Sequence, residues 1–241
     1  MKTVIFTGCA GGMGEAAVPE LLSQGWRVIG LDHSEKRLAA QQAKYPSNQF
    51  QALLCDLAQT TFTPENLLSN HSWLPDVQAM VYWAGVSKGG GWEDATEQDW
   101  DDQFNVQARS CRKLIRFSAP LMQQRGGGSV VVAGSPVGVV GARKPGYAAS
   151  KAALHGLVMS AARHYGPANV RVNLVLPGPV ITYMTQDWSP EKRQSIAGET
   201  LLGRLCQPQE VAELLTFLIS DKNRYMSGSV VDLTCGSMYG H

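Results

Sequence analysis

The sequence predicts an α/β fold: a doubly wound parallel sheet of about seven strands with helices on both faces. Three observations carry this. Short β-branched runs alternate with longer helical stretches along all 241 residues, the pattern of repeated strand–helix–strand units. The strand runs are near-continuously apolar, as in Val130-Val131-Val132 and Val170–Leu176, which is expected when both faces of a sheet are covered. No linker, low-complexity tract or internal repeat interrupts the chain, so one domain spanning 1–241 is the simplest organisation. Right-handed crossovers between parallel strands then give the doubly wound topology.

The elements are read in chain order. Val4–Thr7 is a strand, and Glu15–Gln24 a helix ended by Gly25. Trp26–Leu31 is the second strand, Glu35–Lys44 a helix and Gln51–Cys55 the third strand. Residues 57–76 are irregular, with one short helix after Pro64. Val77–Trp83 is the fourth strand, and Glu97–Gln124 a long helical stretch closed by Gly126-Gly127-Gly128. Ser129–Gly134 is the fifth strand, Tyr147–Tyr165 a helix stopped by Gly166-Pro167, and Val170–Leu176 the sixth strand, ended by Pro177-Gly178. Gln209–Ser220 is a helix and Ser229–Leu233 the last strand.

Composition narrows the function. A net charge of +1 gives no field that favours nucleic acid or an anionic membrane, so neither is expected as a partner. A phosphate-bearing ligand has to be held by local geometry instead. The five cysteines, Cys9, Cys55, Cys111, Cys206 and Cys235, show no CxxC pair and no metal-type spacing with histidine. They point to a reducing compartment, the cytoplasm. The apolar run at the N-terminus is too short for a signal peptide, and no segment approaches the ~20 apolar residues that span a bilayer. His33, His71, His155, His164 and His241 show no metal-ligand spacing, so they are assigned to surface or packing and no metal is expected.

Thr7-Gly8-Cys9-Ala10-Gly11-Gly12-Met13-Gly14 lies between the first strand and the first helix. Gly8 permits the sharp turn, Gly12 lets a pyrophosphate approach the backbone, and Gly14 lets the helix pack close to the sheet. The helix N-terminus offers free N–H groups to phosphate. Such a turn is persuasive only in this context, after a strand and before a helix; alone it is a plain tight turn. Asp32 follows the second strand, 24 positions beyond Gly8. An acid there accepts hydrogen bonds from the adenosine ribose and repels a 2′-phosphate; as a bare helix start, Asp32 or Ser34 would instead serve as N-cap. Ala10 and Gly11 supply no basic side chain, and Lys36 and Arg37 fall a helical turn later, where solvation is expected. NAD is therefore favoured over NADP.

With Tyr147-Ala148-Ala149-Ser150-Lys151 added to this turn, the chain resembles the short-chain dehydrogenase/reductase family, whose domain is a Rossmann fold, over essentially its whole length. The resemblance implies a catalytic set of Asn105, Ser135, Tyr147 and Lys151. It implies cofactor contacts from Gly8, Gly12, Met13, Gly14, Asp32, Asp56, Leu57, Ala84, Gly85, Tyr147, Lys151, Pro177, Gly178, Val180 and Thr182. Asp56 would contact adenine, and Thr182 the nicotinamide carboxamide and phosphate. It also implies a homo-oligomer, a tetramer or dimer, built from the two long helices and the last strand. One departure is clear: the family's Asn-Asn-Ala-Gly after the fourth strand is Tyr82-Trp83-Ala84-Gly85 here. Two aromatics must pack where two Asn side chains usually brace the sheet, and core packing is the role expected of Trp83.

The chemistry can be argued physically. In alcohol oxidation with NAD the cofactor handles the hydride, and the protein handles the proton and the geometry. A free Tyr, with a pKa of about 10, is a poor base at neutral pH. Lys151 lies one helical turn from Tyr147, on the same face, where its cation favours the phenolate; the start of the helix favours it too. Ser135 would bond the substrate oxygen, and Asn105 would hold a water linking Lys151 to solvent. Substrate contacts are expected from the loops Val86–Trp92, Pro136–Lys144 and Tyr183–Thr200, the last forming a mobile apolar lid around 182–200 with Met184, Trp188 and, further on, Met226. The competing readings are a non-catalytic dinucleotide sensor on the same fold, a sugar-nucleotide epimerase, for whose larger C-terminal domain the chain has no room, and a structural protein that binds nothing.

Overall fold

The computed structural model describes residues 1–183 and 185–238. Seven parallel strands, β1 (Lys2–Thr7), β2 (Trp26–Asp32), β3 (Phe50–Leu54), β4 (Val77–Tyr82), β5 (Gly128–Ala133), β6 (Val170–Pro177) and β7 (Val230–Leu233), form one sheet in the order β3-β2-β1-β4-β5-β6-β7. From β1 the chain winds outward through β2 and β3, then returns to pair β4 on the other side of β1. The strand order reverses there, opening the crevice in which α/β sheets bind ligands.

The strands are apolar on both faces, and their side chains alternate between two cores. Ile5, Met80, Val130 and Val132 pack with helices α5 (Ser110–Gln124) and α7 (Pro145–Tyr165) through Leu114, Ile115, Leu154 and Val158. Val4, Phe6, Val81 and Val131 pack with α1 (Gly12–Ser23), α2 (Glu35–Gln42) and α9 (Pro208–Ile219) through Val18, Leu21, Leu38, Val211 and Leu215. The short α3 (Pro64–Leu68) starts after Thr63, whose hydroxyl caps it. Among the described residues, no helix is long and apolar enough to cross a membrane.

The long helical stretch differs from the expectation. It begins at a capping box of Thr96 and Asp99 as α4 (Glu97–Phe104), passes through one π-turn (Asn105–Arg109) and continues as α5. A π-turn inserts one residue into the ladder, rotates the helix beyond it and releases backbone carbonyls. Two helices also lie inside segments expected to be loops. The short α6 (Val137–Val140) crosses α7 where Gly138 is bare; a Cβ there would lie 2.8 Å from the backbone of Lys151 and Ala152. In the expected lid, α8 (Pro190–Gly198) starts at Ser189, whose hydroxyl accepts from Lys192 N–H, with Pro190 in its first turn. Met226 is not part of that lid: it packs against the α1–α9 core, and its carbonyl accepts from Asn173 at 2.7 Å. Met184 and His241 lie outside the described residues.

Candidate functional site

The motif residues converge at the carboxyl ends of β1, β2, β4, β5 and β6. The turn after β1 is built by glycines. Gly8 has φ +73°, and a Cβ on it would lie 2.9 Å from the Ala84 nitrogen. Ala84 and Gly85 are thereby brought against the turn. A Cβ on Gly14 would overlap the Gly8 and Cys9 carbonyl oxygens, so the first turn of α1 closes on its own loop only with glycine there. A Cβ on Gly12 would lie 2.9 Å from that of Thr182, so the segment after β6 meets the N-terminus of α1 at Gly12. The buried Thr7 hydroxyl accepts from Trp83 N–H at 3.0 Å and Ala84 N–H at 3.2 Å, locking β1 to the end of β4.

Asp32 is buried, and its carboxylate accepts from Ala10 N–H and Ser34 N–H, each at 3.1 Å. This holds the carboxylate beside the glycine turn. Arg37 keeps its side chain 40% exposed, with one guanidinium nitrogen 4.0 Å from the Asp32 carboxylate and its Nε buried. Lys36 is exposed. Asp56 is exposed, accepting from Ala58 N–H and from the Gln59 side chain, both at 2.9 Å, while Leu57 beside it is buried. Pro177 ends β6, and Gly178 N–H bonds Leu233 at 3.0 Å. Val180 pairs with Cys206 by a single bridge, Thr182 N–H donates to Thr185 Oγ1 at 2.9 Å, and Tyr183 donates to Glu15 on α1 at 2.9 Å.

The two aromatics in place of Asn-Asn each find a polar partner. Tyr82 is fully buried, and its hydroxyl donates to the Val106 carbonyl in the π-turn. Trp83 packs in the core as expected, and its indole N–H points at Met13 Sδ at 3.1 Å. Tyr82 therefore braces the helix carrying Asn105, while Trp83 braces the glycine turn.

Ser135, Tyr147 and Lys151 are brought together. Ser135 follows β5 and stands beside the Tyr147 phenol, whose pKa it lowers. Tyr147 is the third residue of α7, and Lys151 Nζ sits 6.0 Å from its ring centroid. Gly85 completes the cluster; a Cβ there would lie 3.4 Å from Lys151 Nζ. Burial raises the Tyr147 phenol above its ordinary value, and the neighbouring Ser135 opposes that rise. Lys151 is itself buried and pulled down to about 8 by desolvation, with its ammonium donating to the Ala133 carbonyl at 2.8 Å. Asn105 stands at the start of the π-turn, its amide donating to the Ala58 carbonyl at 3.1 Å. That bond commits the side-chain nitrogen to the turn after β3.

Two residues missed by the sequence reasoning stand between these parts. Gln103 is buried and accepts from Lys88 N–H at 3.4 Å; a Cβ on Gly146 would lie 2.6 Å from its Nε2. Gln107 is fully buried and bonds both Val86 and Ser150. Their signal was present. The buried stripe of Cys111, Leu114, Ser118 and Met122 extends back through 107 and 103, putting two amides on an inward face.

Comparisons with known proteins agree with this architecture. A family model described as Enoyl-(Acyl carrier protein) reductase matches residues 8–237. The chain is 29% identical to the 3-oxoacyl-[acyl-carrier-protein] reductase FabG of Thermotoga maritima, covering 98% of this chain and 97% of that protein. It is 30% identical to the uncharacterized oxidoreductase YmfI of Bacillus subtilis, covering 98% of each. The crystal structure of gox2181 superposes with a TM-score of 0.88 at 27% identity, over 98% of this chain and 95% of the other. With its parallel sheet wound in the order 3-2-1-4-5-6-7, the chain belongs to the short-chain dehydrogenase/reductase family of oxidoreductases.

Proposed function

We propose that this oxidoreductase interconverts a secondary alcohol and a ketone with NAD(H), using Tyr147 as the group that gives and takes the proton. The observation that carries the reading is the convergence of Ser135, Tyr147 and a buried Lys151, whose Nζ lies 6.0 Å from the Tyr147 ring centroid. The whole chain serves as one dinucleotide-binding domain, with the substrate segment around 182–200.

The residues fit a dinucleotide. The glycine turn presents backbone at the N-terminus of α1, and Asp32 is fixed beside it by two backbone N–H groups. Gly8, Gly12, Met13, Gly14, Asp32, Asp56, Leu57, Ala84, Gly85, Pro177, Gly178, Val180 and Thr182, together with Tyr147 and Lys151, would line it. The bound nicotinamide supplies or accepts the hydride. This chain's residues manage the proton. Ser135 orients the substrate oxygen toward the Tyr147 phenol. That phenol, its pKa raised by burial, is protonated at neutral pH and serves as the acid in carbonyl reduction. The Lys151 ammonium beneath it offsets the phenolate left behind and, held to about 8, can resupply the proton. Asn105 and the π-turn fix the neighbouring helix.

A 3-oxoacyl thioester is the first substrate class to test, given the activity for which the FabG relatives are named. Trp92 on the loop after β4 and Val139 and Val140 on α6, all exposed apolar side chains, would suit its acyl portion. The buried Asp32 carboxylate supports NAD over NADP, because it would repel a 2′-phosphate. A homo-oligomer is supported by the exposed Val230 on the edge strand β7, and mass measurement in solution checks it.

The test is dinucleotide-dependent turnover of 3-oxoacyl thioesters, other ketones and secondary alcohols, with Tyr147→Phe as control. The variant is expected to lose about 100-fold or more in kcat while binding NADH within threefold of wild type. Undiminished turnover refutes the Tyr147 mechanism, and tight NADH binding with no turnover of any class points to the dinucleotide sensor. The kcat/KM ratio of NADH to NADPH is expected above one; a ratio below one overturns the cofactor preference.

A further inference from the structure

We propose that Gln107 is a positioning residue for this oxidoreduction, joining the loop after β4 to the helix that carries Tyr147 and Lys151; the inference rests on the reaction proposed above. A fully buried primary amide is costly to desolvate unless its polar atoms are matched, and here both ends are. Gln107 Nε2 donates to the Val86 carbonyl at 2.7 Å and to the Ser150 hydroxyl at 3.3 Å, while Oε1 accepts from Val86 N–H at 3.3 Å. The side chain thus grips one residue of the loop by both its backbone groups and the helix α7 by a hydroxyl. Neither an apolar side chain nor a carboxylate can make all three bonds.

Both anchors sit next to the reacting groups. Val86 follows Gly85, the residue lying against the Lys151 ammonium. Ser150 precedes Lys151, is fully buried, and donates to the carbonyl of Tyr147 at 3.0 Å. The bonds run in series from Val86 through the amide and the hydroxyl to the Tyr147 backbone, and such chains reinforce one another. The π-turn holds this arrangement in place. Gln107 is its third residue, and the Tyr82 phenol holds the carbonyl of Val106 immediately before it. One α-helical turn earlier, Gln103 grips Lys88 in the same loop and packs on Gly146, the residue before Tyr147. Two amides on one helix face thus span the gap between the loop that meets Lys151 and the first turn of the catalytic helix.

The test uses the full chain with Gln107→Met, Ser150→Ala, the double variant and Tyr147→Phe. It tracks hydrogen–deuterium exchange at residues 84–88 and 147–151, NADH affinity, and kcat and KM on the best substrate of the turnover screen. Gln107→Met is expected to speed exchange at both segments at least tenfold, with α1 unchanged. It is expected to lower kcat at least tenfold, with KM and NADH affinity within threefold. Ser150→Ala is expected to lower kcat three- to tenfold, and the double variant to lose no more than Gln107→Met alone. Exchange and kcat within twofold of wild type in Gln107→Met overturn the proposal. Should that variant not fold, unchanged kcat and exchange in Ser150→Ala overturn it instead. Where no substrate is turned over, the exchange result decides alone. Tyr147→Phe separates the two readings: full activity there sinks the proposed reaction, whereas an inactive Tyr147→Phe beside a fully active Gln107→Met sinks only the role of Gln107.

Discussion

Lys151 makes a measurable demand on stability. Its ammonium is buried with one hydrogen bond, to the Ala133 carbonyl, and desolvation lowers its pKa from 10.5 to about 8. The unfolded chain therefore holds this proton more tightly than the folded one, and folding is penalised while the lysine is charged. At about 1.4 kcal/mol per decade of affinity, the penalty is about 3 kcal/mol. It is fully present below about pH 8 and lifts as pH rises toward 10.5. About 1 kcal/mol of it is relieved between pH 7 and pH 9. Lys151→Met has a side chain of similar length and no proton to lose, so its stability lacks this slope. The lost bond to Ala133 lowers the variant by a constant that cancels when the two proteins are compared across pH. Urea unfolding of dinucleotide-free wild type and variant at pH 7, 8 and 9 is expected to show wild type gaining about 1 kcal/mol on the variant. A gap that does not move with pH, or that moves the other way, refutes the claim that Lys151 is held against its solvation.

Packing sets the remaining expectations. Gly14→Ala pushes a methyl into the Gly8 and Cys9 carbonyls and is expected to cost about 3 kcal/mol, the upper end for overpacking, with loss of NADH binding. Gly156→Ala, at an exposed site of α7 where a Cβ meets nothing within 4 Å, is expected to gain about 0.5–1 kcal/mol; thermal unfolding of the pair checks both. Tyr82→Phe removes the donor to the buried Val106 carbonyl and is expected to cost about 1–3 kcal/mol, read from urea midpoints. No loss there would mean that the π-turn does not need the phenol.

The sheet was legible because its signal is redundant. Runs such as Val130-Val131-Val132 are apolar at every position, and glycine or proline marks the ends of the strands and helices. The cluster of Ser135, Tyr147 and Lys151 was legible because two of its members lie one helical turn apart and the third ends a strand. The features that escaped depend on contacts distant in sequence. The π-turn at Asn105–Arg109 has no composition of its own; the partner that takes a freed carbonyl, Tyr82, lies 24 positions away. Gln103 and Gln107 read as ordinary polar residues until the loop they grip is in place. The helix α8 was different. Ser189-Pro190 was a readable start signal that the expectation of a lid passed over.

The Tyr82-Trp83 pair at the end of β4 constrains how this chain can change. The Tyr82 ring fills a fully buried volume, and its hydroxyl reaches across from the strand to a carbonyl in the π-turn. An asparagine at position 82 alone would leave both a void and an unpaired carbonyl, each unfavourable. Position 82 is thus expected to drift only together with the helix segment 105–109. Libraries built on this chain do best to vary the two places as a unit.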